Sequence, residues 1–97
     1  MKNVDEYKKI LAAHRSELAR KYHVSSLGLF GSRLRGEQRE DSDLDVLVSF
    51  STTPGLLQFS GLRDHLSDLL GVKVDLVMRD ALKPGIRERI LKEVELV

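Results

Sequence analysis

Phe30-Gly31-Ser32-Arg33-Leu34-Arg35-Gly36 and, a few residues on, Ser42-Asp43-Leu44-Asp45-Val46-Leu47-Val48 are the two halves of the stretch on which the fold turns. Upstream of Gly31, Ser26-Leu27-Gly28-Leu29-Phe30 is an apolar run too brief for a helix, so it reads as a buried strand. Leu44 to Phe50 is apolar and β-branched and is stopped by Ser51-Thr52-Thr53-Pro54-Gly55, which makes it a second strand. The polar stretch between them, Gly31 to Ser42, holds two glycines and six charges and has room for one short helical turn. That is too little chain for a crossover helix. The two strands are therefore expected to pair antiparallel.

Amphipathic helices flank this pair. Val4, Tyr7, Leu11, Leu18 and Tyr22, with Ile10 beside them, recur at helical spacing among charged residues, and His14 falls on the same stripe as a boundary packing residue. A second helix is expected from about Leu56 to Leu70, with Phe59, Leu62, Leu66, Leu69 and Leu70 as its stripe and Gly71 as the residue that ends it. Val72 to Met78 reads as a third strand, with Val74, Leu76 and Met78 on one face and Lys73, Asp75 and Val77 on the other. A last helix starts near Pro84 and carries Ile86, Ile90, Leu91 and Val94. The expected order is α-β-β-α-β-α. This is an α/β (α+β) fold with one small mixed sheet backed by helices, as a single domain over residues 1–97.

Composition narrows the function. The chain has 97 residues, 16 Lys+Arg against 15 Asp+Glu, 41% hydrophobic residues and no cysteine. Disulfides and thiolate metal sites are excluded. Residues 1–50 carry 9 basic and 8 acidic side chains and residues 51–97 carry 7 and 7, so no general affinity for nucleic acid is expected. With 5% aromatics, a stacking platform for single strands is not expected either. No apolar run approaches the roughly 18 residues of a membrane helix, and Met1 to Lys9 lacks a signal-peptide core, so the expected location is the cytoplasm. Function has to sit in a local site.

Asp43 and Asp45 lie two apart at the start of a strand and so share a face. Two ionised carboxylates side by side repel unless a cation joins them, and Mg²⁺ takes oxygen ligands while leaving positions for phosphate oxygens and water. Gly31 lets backbone approach a ligand closely, and the Ser32 hydroxyl can donate to a phosphate oxygen. In an antiparallel pair the end of the first strand and the start of the second share an edge, so the phosphate feature and the carboxylate pair meet. Asp75, within an apolar strand, is costly there unless it is paired, hydrated or on a metal. Taken singly each feature has a plainer reading: a capping Asp pair, a turn, an Asp75–Lys73 ion pair. Together they are the parts of a metal-dependent nucleotidyl transfer site. There is no Gly-Lys-Ser/Thr of a Walker loop, and neither His14 nor His23 has the setting of a serine-hydrolase base.

The same residues resemble a known family. Phe30 to Gly36 followed by Ser42 to Val48 looks like the signature of the DNA polymerase β-like nucleotidyltransferase superfamily, most closely its minimal nucleotidyltransferases: Gly-Ser, then Arg-Gly three residues on, then Ser-Asp-x-Asp at a strand start. Val74-Asp75-Leu76-Val77 and the stretch from Ala81-Leu82-Lys83-Pro84 to Glu88-Arg89-Ile90-Leu91 also look like that family. The resemblance implies the nucleotidyltransferase fold, with Asp43, Asp45 and Asp75 as catalytic and metal-holding carboxylates for two Mg²⁺ ions. Gly31, Ser32 and Arg35 would be nucleotide-binding, Arg35 either through phosphate or by tying the loop to a carboxylate. Arg33, Arg39, Glu40 and Asp41 read as solvent-facing charges.

The implied chemistry is attack of an acceptor hydroxyl on the α-phosphate of ATP. A chain this short carries no acceptor domain, which points to a protein acceptor. Minimal nucleotidyltransferases of this size are often antitoxins that move AMP onto a tyrosine of a HEPN-domain ribonuclease toxin. The resemblance therefore implies a protein adenylyltransferase with a HEPN partner. The competing reading is a binding module of the same fold that neutralises its partner by occlusion without catalysis.

Overall fold

The computed structural model describes residues 2–31, 34, 36 and 43–97. Four strands, β1 (Val24–Phe30), β2 (Leu44–Phe50), β3 (Val74–Met78) and β4 (Glu95–Leu96), form one mixed sheet in the order β3-β2-β1-β4. The expected antiparallel pairing of β1 and β2 is present, with Phe30 opposite Asp45 and Leu29 opposite Val46. β3 runs parallel to β2, Asp45 facing Asp75 and Leu44 facing Val74. The return that a parallel pair requires is made by the helix α3 (Leu56–Leu70).

Alternation along the strands sorts the sheet into two faces. Leu27, Leu29, Leu44, Val46, Val48, Val74 and Leu76 enter the main core with Tyr7, Leu11, Leu18, Leu62, Leu66 and Leu70 from α1 (Val4–Ala13), α2 (Arg15–Tyr22) and α3. The other face is covered by α4 (Pro84–Glu93), where Phe30, Leu47 and Ile90 pack with Val77, Leu82, Leu91 and Val94. Gly28 lies beneath the last turn of this unit, where a Cβ would come within 2.6 Å of Val94 Cγ2.

Three local expectations are corrected. The N-terminal helix is two helices, broken at His14 (φ −104°, ψ 4°), whose Nδ1 lies 2.8 Å from the Ile10 carbonyl oxygen. The break lets α1 and α2 each lay a short apolar stripe on the sheet. β3 starts at Val74 rather than Val72, because Ser67 Oγ accepts the Val74 N–H (3.1 Å) and the Val72 N–H donates to the Ser67 carbonyl, holding 72–73 as a connection. The two-residue β4 was not expected. It adds antiparallel to β1 with Leu29 opposite Glu95 and Gly28 opposite Leu96. Leu56–Leu70 and Pro84 at the start of the last helix match the sequence reading, and Gly71 ends α3 at φ 69°. Among the described residues, no helix is long and apolar enough to cross a membrane.

Candidate active site

β1, β2 and β3 bring the acidic residues to one end and one face of the sheet. Asp45 is in register with Asp75 on the parallel neighbour and with Phe30 on the antiparallel one. Asp43 lies two residues before Asp45 and directly precedes β2, whose entry is tied to β3 by the Leu44 N–H donating to the Lys73 carbonyl (2.9 Å). By alternation Asp43, Asp45 and Asp75 share the face of Leu47 and Val77. Neighbouring strands lie about 4.8 Å apart, so Asp45 and Asp75 sit side by side on adjacent strands. α4 covers the middle of this face and leaves its acidic end open. Asp43 and Asp45 are half-buried and Asp75 is exposed.

Gly31 closes β1 with φ +89°, a conformation that disfavours any side chain. A Cβ there would overlap Oδ2 of Asp45 and come within 2.8 Å of its Cγ. The glycine thus makes space for the Asp45 carboxylate as its primary steric task. Its carbonyl accepts the Leu34 N–H (3.1 Å), and half-buried Leu34 packs against the main core. Its own N–H donates to Glu93 Oε1 (3.3 Å) at the end of α4. Glu93 was missed by sequence reasoning. It lies 62 residues from Gly31, and its only local signal is an acid at a helix C-terminus, where a base is favoured.

The plainer reading of Asp75 is not what the fold adopts. The ion pairs among the described residues are Lys8–Glu95, Glu17–Lys21 and Arg63–Asp64, so Lys73 does not neutralise Asp75. Nor do three acids or histidines converge into a ready ligand cluster among the described residues. What is present fits a hard divalent ion bound together with phosphate oxygens. The donors are carboxylate oxygens only, and the Asp45 carboxylate fills the space a Cβ of residue 31 would take. Ser32, Arg35, Arg33, Arg39, Glu40, Asp41, Ser42 and the expected helical turn in 31–42 lie outside the described residues, apart from the Gly31–Leu34 contact.

The model of the nucleotidyltransferase domain family matches residues 11–97. The chain belongs to this family. Among relatives of the nucleotidyltransferase, the protein adenylyltransferase MntA of Thermococcus cleftensis is 47% identical over 97 residues, spanning 100% of this chain and 98% of its own. A solved candidate minimal nucleotidyltransferase superposes with a TM-score of 0.80 at 39% identity, covering 97% of this chain and 95% of that one. A chain of the complex between the tri-AMPylated HEPN toxin of Shewanella oneidensis and its MNT antitoxin shares the fold, with a TM-score of 0.65 at 18% identity, over 93% of this chain and 70% of that one. The expected fold and family are both borne out.

Proposed function

We propose that this nucleotidyltransferase is a single-domain cytoplasmic antitoxin that transfers AMP from ATP to a hydroxyl, most simply a tyrosine, of a HEPN-type ribonuclease toxin. The observation that carries the reading is the alignment of Asp43, Asp45 and Asp75 at one open end of the sheet beside Gly31. Near-full-length identity of 47% to a protein adenylyltransferase supports a protein acceptor.

In the proposed reaction the acceptor oxygen attacks the α-phosphorus of ATP. A new P–O bond forms, the bond to the β-phosphate oxygen breaks, and pyrophosphate leaves. The acceptor's proton passes to a carboxylate, and Asp75 is suited to that role because it is exposed at the rim where a docking protein can present its hydroxyl. Asp43 and Asp45, with Asp75 as third carboxylate, would hold Mg²⁺, which when bound neutralises charge on the attacking and leaving oxygens. Ser32 and Arg35 would contact the triphosphate, and Gly31 would set the loop that carries them. A partner docked at the open end would place its hydroxyl in line with the α-phosphate.

The test is incubation with Mg²⁺, labelled ATP and a HEPN-type partner encoded beside the gene. An adenylyl group should appear by mass spectrometry on a hydroxyl side chain of the partner. Asp75→Asn should cut transfer at least a hundredfold while the complex still forms, since it removes a proton acceptor and not a docking surface. Full neutralisation by the Asp75 variant, with no adenylyl group from the wild type, would replace this reading by occlusion.

A further inference from the structure

β1 and β4 form a short ladder whose rungs obey one rule: the Val97 N–H donates to the Leu27 carbonyl (3.0 Å), and Leu29 faces Glu95. The next rung in that register joins residue 31 to residue 93. At that rung the chain is no longer a strand, because Glu93 is the last residue of α4. The Glu93 side chain takes the place of the missing backbone acceptor. Its Oε1 receives the Gly31 N–H, which points away from β2 in the plane of the sheet.

A carboxylate at a helix C-terminus lies against the negative end of the helix dipole, so Glu93 is placed there at a cost to α4 itself. One contact it makes there is with the Gly31 N–H. That residue touches Asp45, and nothing but hydrogen at its Cα leaves room for the Asp45 carboxylate. We infer that Glu93 is a positioning residue for the nucleotidyl transfer site: as a side-chain rung extending the β1–β4 ladder, it pins Gly31 and so keeps the space that Gly31 leaves for the Asp45 carboxylate. It also anchors the end of α4 to the acidic end of the sheet that α4 leaves open. The inference rests on the proposed function for its catalytic consequence, though the Gly31 contact stands independently of it.

The test compares Glu93→Ala, which removes the acceptor, with Glu93→Gln, which keeps an acceptor oxygen at the same reach. Amide exchange followed by NMR reads the rung directly. In Glu93→Ala the Gly31 amide should exchange at least tenfold faster than in wild type, while the Leu29 amide, held by backbone, stays protected. Binding of Mg²⁺ with a non-hydrolysable ATP analogue should weaken about tenfold, and the rate of AMP transfer should fall by more than the binding does, because misplacing Asp45 acts on the transition state. Glu93→Gln should restore Gly31 protection and most of the transfer. Unchanged Gly31 exchange in Glu93→Ala overturns the inference, as does a Glu93→Gln variant whose Gly31 amide exchanges as fast as in Glu93→Ala. A wild-type protein that binds no Mg²⁺–nucleotide, yet shows the exchange pattern, would overturn the proposed function and leave the rung standing.

Discussion

Gly31 serves three neighbours at once: its Cα gives way to Asp45, its carbonyl holds Leu34 and its amide meets Glu93. The sequence reading took the glycine as a device for letting phosphate approach the backbone. Its first steric duty is toward a carboxylate on the next strand, 14 residues later in the chain. Gly31→Ala is the sharp test at this scale. A non-glycine residue at φ +89° costs about 1–2 kcal/mol, and displacing the Asp45 side chain adds to it. Stability by urea titration should fall by roughly 2–4 kcal/mol, a substantial part of the roughly 5–15 kcal/mol margin of a small domain but short of all of it. AMP transfer should fall at least a hundredfold, because a Cβ at residue 31 overlaps the Asp45 carboxylate and drives it from its place in register with Asp75. Wild-type transfer by a destabilised Gly31→Ala protein would mean that Asp45 does not need its seat against the glycine.

At the scale of elements, the junction between α2 and β1 carries a cost of its own. His23 ends α2 in the left-handed conformation, φ 59°, ψ 32°, and its carbonyl accepts both the Ser51 N–H (2.8 Å) and Ser51 Oγ (3.2 Å). On the His23 side those contacts use only the backbone. His23→Gly should therefore keep them and relieve the left-handed strain, raising stability by about 0.5–1 kcal/mol in a thermal melt. A lower melting temperature would show that the imidazole contributes packing the backbone contacts do not reveal. The same junction shows what could be read from residues alone. Leu44–Phe50 and Leu56–Leu70 were legible to the residue, because apolar runs and punctuation by Pro54, Gly55 and Gly71 are local signals. Asp43 and Asp45 were legible as a pair because strand period puts them on one face, whereas the register of Asp75 with Asp45 comes from the parallel pairing of β2 and β3, which no local signal carries. The break at His14 was not legible, since no glycine or proline marks it and the residues on both sides favour helix. β4 and Glu93 were invisible because their partners, Leu29 and Gly31, lie more than 60 residues away.

On the scale of the whole molecule the two faces of the sheet are unequal. Among the described residues, fourteen buried side chains make the core beneath α1, α2 and α3, against three (Phe30, Leu47 and Ile90) beneath α4. Burial of a large aliphatic side chain contributes about 1.5–3 kcal/mol, so α4 is docked by a small fraction of what holds the rest. Sub-global opening is then expected to start there. The amides of α4 should exchange through an opening of lower free energy than those of α3, although both helices are fully formed. Ile90→Ala and Leu62→Ala separate the two units. Leu62 is fully buried in the main core, and its truncation should cost about 2–5 kcal/mol of global stability. The cost of Ile90→Ala is capped at the free energy that docks α4, because beyond that point the helix detaches and the main core persists. Its signature should be near-complete loss of α4 protection with α3 protection retained. Glu93 travels with α4, so AMP transfer should be lost at temperatures where the main core is still folded. Equal exchange free energies in α3 and α4, shifted equally by Ile90→Ala, would mean instead that both faces unfold as one unit, and that the last helix reports on the site only through global stability.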